Sequence, residues 1–334
     1  MLSSALRSFD DPAEFESSVR GADAKIFVTG QGQYRSEHAR IDLHCLWMQR
    51  FRQSLPTAAY IALHKNRAPI ALLAAENQPP FVHSGIQVGP GDIVASSIGD
   101  EHHVSIPADC IFSAASLTPE DLAKWGKALV GYELTPPRVT RVFRPAAHCA
   151  SHLQSLHNSA ANLAASAPDV LSHPEIAKAI EQGLVSAIVA CLADPEALDR
   201  TRLRSGSSAV MRRFERLLED WENRPIYVAE ACAELGVNDR TLRMYCQDHL
   251  GMSPQRYLWL RRMNLAQRAL VRADATMRTV TQIANDHGFG ELGRFAVAYR
   301  SLFGESPSAT LRRTPDVRPS LKTRPFWQAI SDCA

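Results

Sequence analysis

Two stretches of the chain, LGVNDRTLRMYCQDHLGMSP at 235–254 and HGFGELGRFAVAYRSLFGESP at 287–307, share one layout. Each has a turn glycine, an arginine-bearing amphipathic run and a Gly-x-Ser-Pro ending. The turn glycines Gly236 and Gly288 are 52 residues apart, and Gly251 and Gly304, which open the two endings, are 53 apart. Glycine supplies the positive φ of a sharp interhelical turn. Glycine stops a helix, and a proline shortly after it, here Pro254 and Pro307, starts the next. The spacing predicts two copies of one helix-turn-helix unit in tandem.

Helical periodicity assigns the inward faces. In the first copy these are Val228, Ala231 and Cys232 on the leading helix, then Leu242, Tyr245 and Cys246 on the second. In the later copy they are Val280, Ile283 and Ala284, then Phe295, Tyr299 and Leu302. Ala284 is small enough for two helices to cross closely. Between the copies SPQRYLWLRRMNLAQRALVRA reads as one long helix, with Leu258, Met263, Ala266 and Leu270 spaced for burial. Such a strut matters because two helices enter successive major grooves only when held about 34 Å apart on one side of a duplex.

The opposite faces are the candidate reading surfaces. On the first unit they present Arg240, Thr241, Arg243, Met244 and Gln247, and on the second Gly293, Arg294, Ala296, Val297 and Arg300. Arg240 and Arg243 each suit either a bidentate guanine contact or a phosphate. The second face is poorer in hydrogen-bonding groups, so phosphate and thymine-methyl contacts are expected from it. Charge is segregated in the same sense. The whole chain holds 37 Lys and Arg against 35 Asp and Glu, but residues 201–334 hold 21 against 14, net +7, which leaves −5 on the first 200. All but one of those 21 are arginine, whose planar fork matches phosphate and guanine.

The segments ACAELGVNDRTL, GMSPQRYLWLRRMNLAQRAL, VTQIANDHGF and RFAVAYRSLFGESP together resemble the AraC/XylS family of bacterial transcription regulators, over about residues 213–313. The resemblance implies two helix-turn-helix units joined by a long helix. Its turn and packing positions fall on Gly236, Leu242, Gly251, Pro254, Arg262, Ala284, Gly288, Phe289, Phe295, Tyr299, Gly304 and Pro307. It further implies double-stranded promoter or operator DNA as partner, contact with RNA polymerase, a homodimer, a small-molecule effector and regulation of transcription, with activation and repression both open. The chain departs from the family pattern at Cys246, where an aromatic is usual, and at Met244, where a basic residue is frequent. GELGRFAVAY is similar to the subgroup that includes ethanolamine-operon regulators. Upstream, VGPGDIVASSIGDEHHVSIP resembles the glycine-turned strand pair of the cupin-like sensing domains in such regulators.

From Lys25 to about Ala115 short apolar runs alternate with Gly, Pro, Asn and Asp, which predicts strands closed into a compact β-barrel or sandwich. At 172–194 a helix is predicted with Ile176, Ala179, Ile180, Leu184, Ala187, Ile188 and Cys191 on one stripe, to be covered by its own barrel or by a second subunit. RTRLRSGSSA at 200–209 reads as a linker, with Ser208 capping a helix whose inward stripe is Val210, Phe214, Leu217 and Trp221. The expected class is α+β: a cupin-like effector-sensing and dimerisation domain over 1–200, a linker over 201–209, an all-α double helix-turn-helix domain over 210–315 and a tail over 316–334.

Residues able to carry chemistry point to binding. The seven cysteines Cys45, Cys110, Cys149, Cys191, Cys232, Cys246 and Cys333 form no CxxC pair and read as small thiols in a reducing cytoplasm. Glu101, His102 and His103 follow a GPGD turn, where a cupin enzyme places metal ligands, but without a His-x-His pair. His148 and His152 have i, i+4 spacing without the glutamate of HExxH and read as a surface or partly buried pair. GQG at 30–32 reads as a hairpin turn. No metal, cofactor or catalytic residue is expected. The competing reading is a cupin-type metalloenzyme with a helical oligomerisation tail. The longest nearly apolar run, LVSAIVACLA at 184–193, is about half of the ~20 residues that cross a bilayer. The start lacks the features of an export signal, so no membrane partner and a cytoplasmic location are expected.

Overall fold

The structure, a computed structural model, describes residues 3–75, 77–201, 205–220 and 226–313. Strand β1 (Ser3–Phe9) and helix α1 (Pro12–Ser18) come first. Strands β2 (Ala22–Val28), β3 (Ser36–Asp42), β4 (Trp47–Gln53), β5 (Thr57–Leu63) and β6 (Ala68–Leu73) follow. After them come β7 (Phe81–His83), β8 (Ile86–Val88), β9 (Ile93–Ala95), β10 (Glu101–Ile106) and β11 (Cys110–Leu117). Helix α2 (Pro119–Val130), strand β12 (Arg141–Arg144), helices α3 (Ala147–Ser166) and α4 (Pro174–Leu192) and the short strand β13 (Leu198–Asp199) close this half.

The strands form two antiparallel sheets, in the orders β1-β3-β4-β11-β6-β9-β12-β13 and β2-β5-β10-β7-β8. The alternation read between Lys25 and Ala115 falls on β2 to β11. β1, α1, β12 and β13 were not anticipated, because each is short and lies outside that patterned stretch. The sheets face one another across a core that includes Phe15, Ile26, Phe51 and Ala59. The outer face of the larger sheet, with Ile41, Met48, Ile70 and Ile93, packs under α3 and α4. GQG is not a hairpin turn: it lies between β2 and β3, which belong to different sheets.

Helix α4 packs on its own chain. Leu184, Ala187, Ile188 and Cys191 are buried as the stripe requires. Ile176 and Ala179 are exposed, however, and Ile180 is half-buried, while Ala177, Glu181 and Val185 point inward. Glu181 turns the face. Its carboxylate accepts the backbone N–H of Cys45 at 2.6 Å and of Leu46 at 3.0 Å, a role that apolar periodicity does not reveal.

The remaining elements are helical: α5 (Ser205–Asp220), α6 (Val228–Leu235), α7 (Asp239–Leu250), α8 (Pro254–Arg272), α9 (Val280–Asp286), α10 (Leu292–Phe303) and α11 (Pro307–Arg312). α5 starts inside the stretch expected as a linker, so Ser208 is an interior residue and not the cap. Its buried face is Met211, Phe214, Glu215 and Leu218, while Val210 and Leu217 of the expected stripe are half-buried. Trp221 and the tail at 316–334 lie outside the described residues. Among the described residues no helix is long and apolar enough to cross a membrane.

Candidate nucleic-acid interface

The first unit is built as its glycines require. Gly236 ends α6 at φ 67°, and Asn238 caps α7, its side chain accepting the Thr241 N–H at 2.8 Å. Ala231, Leu242 and Cys246 are fully buried, while Val228, Cys232 and Tyr245 pack at the margin. Burial pushes the Cys246 thiol up to about 12, so it serves as a small apolar filler where an aromatic was expected. Arg240, Arg243, Met244 and Gln247 are exposed and Thr241 is half-buried. Arg243 pairs with Asp239 at 3.0 Å one turn back, whereas Arg240 has no ion pair among the described residues. Gly251, at φ 71°, ends α7, and Ser253 then caps α8 with Pro254 in its first turn.

In the second unit Thr279 and Gln282 form a capping box at the start of α9. Gly288 sits at φ 76°, and the Phe289 N–H closes the turn on the Ala284 carbonyl at 2.9 Å. Ile283, Ala284, Phe295, Tyr299 and Leu302 are buried, with Val280 packed beside them. The outer face of α10 presents Gly293, Arg294, Ala296, Val297 and Arg300 to solvent. Arg294 lies 3.0 Å from Glu291, and Arg300 has no ion pair among the described residues. Gly304, at φ 75°, makes the closing corner ahead of Pro307. Arg262 of α8 places its guanidinium 5.4 Å from the Phe289 ring centre, and Phe289 lies 4.9 Å from Phe295. The strut and the second unit are thereby locked through an aromatic face.

α8 joins the units through Leu258, Met263, Ala266 and Leu270, all buried. Its other side docks on the sheets, which the sequence did not disclose. β2 is an edge strand, and an edge leaves every second backbone N–H and C=O without a ladder partner. At Val28, Asn264 supplies both partners: its Oδ1 accepts the N–H at 2.9 Å and its Nδ2 donates to the carbonyl at 3.1 Å. At Ile26, Glu16 accepts the N–H and Arg268 donates to the carbonyl at 2.7 Å. Burial raises the Glu16 carboxyl above the usual range, against the pull of Arg268. Phe27 packs edge-on to Tyr257, with ring centres 6.1 Å apart. The Gly32 N–H, in the GQG loop, donates to the Leu302 carbonyl at the end of α10, at 3.1 Å.

α5 docks on β10, whose side chains alternate between two sides. Glu101 faces α5 and meets Arg216 at 2.9 Å. His103 faces it too, with Nε2 3.4 Å from the fully buried Glu215. His102 lies between them and turns into the space between the sheets, where it lines a cavity of about 140 Å³. The contiguous trio Glu101, His102 and His103 is therefore split between opposite sides of one strand. The same cavity is lined by Phe51, Ile61, Phe112, Gln49, Arg67 and His83, among others. Burial pushes the His83 imidazole well below its ordinary range. His148 and His152 are both exposed on α3. Cys110, Cys191 and Cys246 are buried, Cys45, Cys149 and Cys232 partly so, and Cys333 lies outside the described residues.

A two-sheet body docked on a tandem helix-turn-helix head makes this an α+β protein. Residues 231–313 match the family described as Helix-turn-helix domain. The "Probable thc operon regulatory protein" of Rhodococcus erythropolis is 36% identical over 152 residues, which is 44% of this chain and 45% of that protein. The "XylDLEGF operon transcriptional activator 3" of Pseudomonas putida is 39% identical over 103 residues, 30% of this chain and 31% of its own. A solved structure described as a probable AraC family transcriptional regulator from Rhodopseudomonas palustris is 37% identical, covering 32% of this chain and 97% of that one, with a TM-score of 0.29. The alignments span less than half the length of the two curated relatives. Residues 231–313 thus carry a helix-turn-helix domain similar to that of AraC/XylS-type transcription regulators.

Proposed function

We propose that this protein is a sequence-specific DNA-binding transcription factor that acts as a homodimer, contacts RNA polymerase and responds to a small-molecule effector. The domain division runs near residue 200, with residues up to there forming the sensing part and α5 to α11 the reading part. The observation that carries the proposal is the paired display of α7 and α10. Both turn their apolar stripes into the head and leave Arg240, Arg243, Arg294 and Arg300 in solvent. The strut between them has 19 residues, about 28 Å at 1.5 Å per residue, which is of the order of one turn of B-form DNA.

The cavity between the sheets is the effector site in this reading. Its walls are largely apolar, with Gln49, Arg67 and His102 among the few polar groups, which suits a compact, mainly apolar molecule carrying one hydrogen-bonding end. Cavities of about 150 Å³ accept a benzene-sized guest. The effector acts by binding one arrangement of body and head more tightly than another, since equal affinity would shift nothing. The docked faces of β2 and β10 are where those arrangements differ.

The test is genomic footprinting with the full-length protein and two double variants, Arg240→Ala with Arg243→Ala and Arg294→Ala with Arg300→Ala. Protected sites one helical turn apart, half lost with each double variant, are expected. A wild-type footprint retained by both variants overturns the reading.

A further inference from the structure

We infer that His83, Asp100 and His102 form a binding site for a divalent transition-metal ion in the wall of the cavity between the sheets. His83 ends β7 and His102 is the second residue of β10, the strand paired to β7, while Asp100 lies in the turn just before β10. One ligand atom from each residue lies within 4.8 Å of the other two. His102 Nδ1 stands 3.5 Å from Asp100 Oδ2. A tetrahedral ion with bonds of about 2.0–2.1 Å holds its donors roughly 3.4 Å apart, so this pair already has the required spacing. The two imidazole rings lie 4.1 Å apart between centres.

The second observation concerns unmet bonding capacity. His83 is 4% exposed and His102 6%, yet His83 Nε2 has no hydrogen-bond partner and His102 Nδ1 faces the Asp100 carboxylate at 3.5 Å without a well-formed hydrogen bond. One partnerless imidazole nitrogen beside a loosely spaced imidazole–carboxylate pair is the donor set of a metal centre rather than of a packed core. Asp100 is held ready for that role. Thr140 Oγ1 donates to its Oδ2 at 2.6 Å and itself accepts the Ser97 N–H at 3.0 Å, while Arg212 approaches the other oxygen at 3.9 Å. Such outer hydrogen bonds fix a ligating carboxylate. Two imidazoles and one carboxylate select zinc, iron(II) or nickel-like ions over calcium or magnesium.

Three protein donors leave a position open. Because His83 and His102 line the cavity, that position faces it and is available to water or to an electron-pair donor on a bound small molecule. The site stands independently of the DNA-binding reading and is tested with metal alone.

The full chain, stripped with a chelator, is titrated with Co²⁺ followed by absorbance and with Zn²⁺ followed by calorimetry. One equivalent per chain, with ligand-field bands that Zn²⁺ abolishes, is expected. His83→Ala and His102→Ala should each weaken binding by more than the ~10–100-fold that loss of an outer-shell partner costs. Asp100→Asn keeps the side-chain shape if the histidine variants fail to fold, and should weaken it as well. His148→Ala with His152→Ala removes the rival surface pair and should change nothing. The site is overturned by the absence of stoichiometric binding, by loss of binding in the His148 and His152 variant, or by undiminished binding in Asp100→Asn.

Discussion

The Glu215 carboxylate on α5 and the Arg261 guanidinium on α8 meet where solvent does not reach, their side chains 0% and 5% exposed. Tyr257 donates its hydroxyl to the same carboxylate at 2.9 Å, and His103 of β10 lies 3.4 Å from it. Burial by itself would raise this carboxyl, but the Arg261 charge, helped by His103 and Tyr257, overrides it and holds the group down at about 2. One ionised pair thus ties α5 and α8 to each other and, through His103, to the sheet body. Glu215→Ala leaves Arg261 buried and unpaired, and should cost about 3–5 kcal/mol in urea unfolding at neutral pH. Glu215→Leu combined with Arg261→Met, which removes both charges, should recover most of that loss. A double variant as unstable as the single one would show that packing, not the stranded charge, sets the cost.

Asn264 offers a sharper probe of the docking, because it replaces a missing strand. Asn264→Ala leaves the Val28 N–H and C=O without partners, and should cost about 1–3 kcal/mol for the buried groups left unpaired. The Val28 amide should exchange with deuterium faster than its neighbours on the β5 side of β2. Unchanged protection at Val28 would mean that the edge is covered in some other way.

The corners of the head were legible because they depend on local backbone demands. Gly236, Gly251, Gly288 and Gly304 all adopt the positive φ that their spacing implied. Leu242, Phe295, Tyr299 and Leu302 followed from apolar periodicity alone. The docking face was not legible. On α8, Arg261, Asn264 and Arg268 recur at helical spacing and look like a solvated side, and the β2 residues that meet Asn264 and Arg268 lie 236 and 242 positions earlier. The shift of α5's buried face has the same origin, since no hydrophobic pattern marks a buried glutamate. The approach of His83 to His102 depends on the register of β7 with β10, which the short β7 hardly signals.

His157 gives the body its own pH signature. It is 1% exposed on α3, and burial, reinforced by Arg50, pushes its imidazole down to about 3. Its folded pKa is depressed, so between about pH 6.5 and 3 the unfolded chain takes up a proton that the folded chain refuses. Stability therefore falls as pH falls through that window, by about 1.4 kcal/mol per unit for one proton. His157→Met should flatten the dependence of unfolding free energy on pH by up to that slope. Other carboxylates and histidines contribute equally to both proteins, so the difference isolates this group. Parallel curves for wild type and variant would refute the assignment.

Under the proposed reading, α7 and α10 should lose DNA in different ways. The Arg243–Asp239 pair is about half exposed on both sides, and such a surface pair is worth only about 0.3–0.5 kcal/mol, so Arg243 can leave it for a base or a phosphate at little cost. Arg240 needs no release. Arg240→Ala and Arg243→Ala should each cost about 1–3 kcal/mol at one base position if they reach guanine, with the salt dependence of binding nearly unchanged. On α10 the neighbours of Arg294 and Arg300 are Ala296 and Val297, the latter 73% exposed, which offer a base edge only apolar contact. Arg294→Ala and Arg300→Ala should therefore weaken binding to all sequences alike and each lower the salt slope by about 0.9, the signature of one lost phosphate. Val297→Ser should act only where the site carries a thymine methyl. Titrations of one operator and its single-base variants at several salt concentrations separate these outcomes. A change of base preference in Arg294→Ala would reverse the division of labour between the two helices.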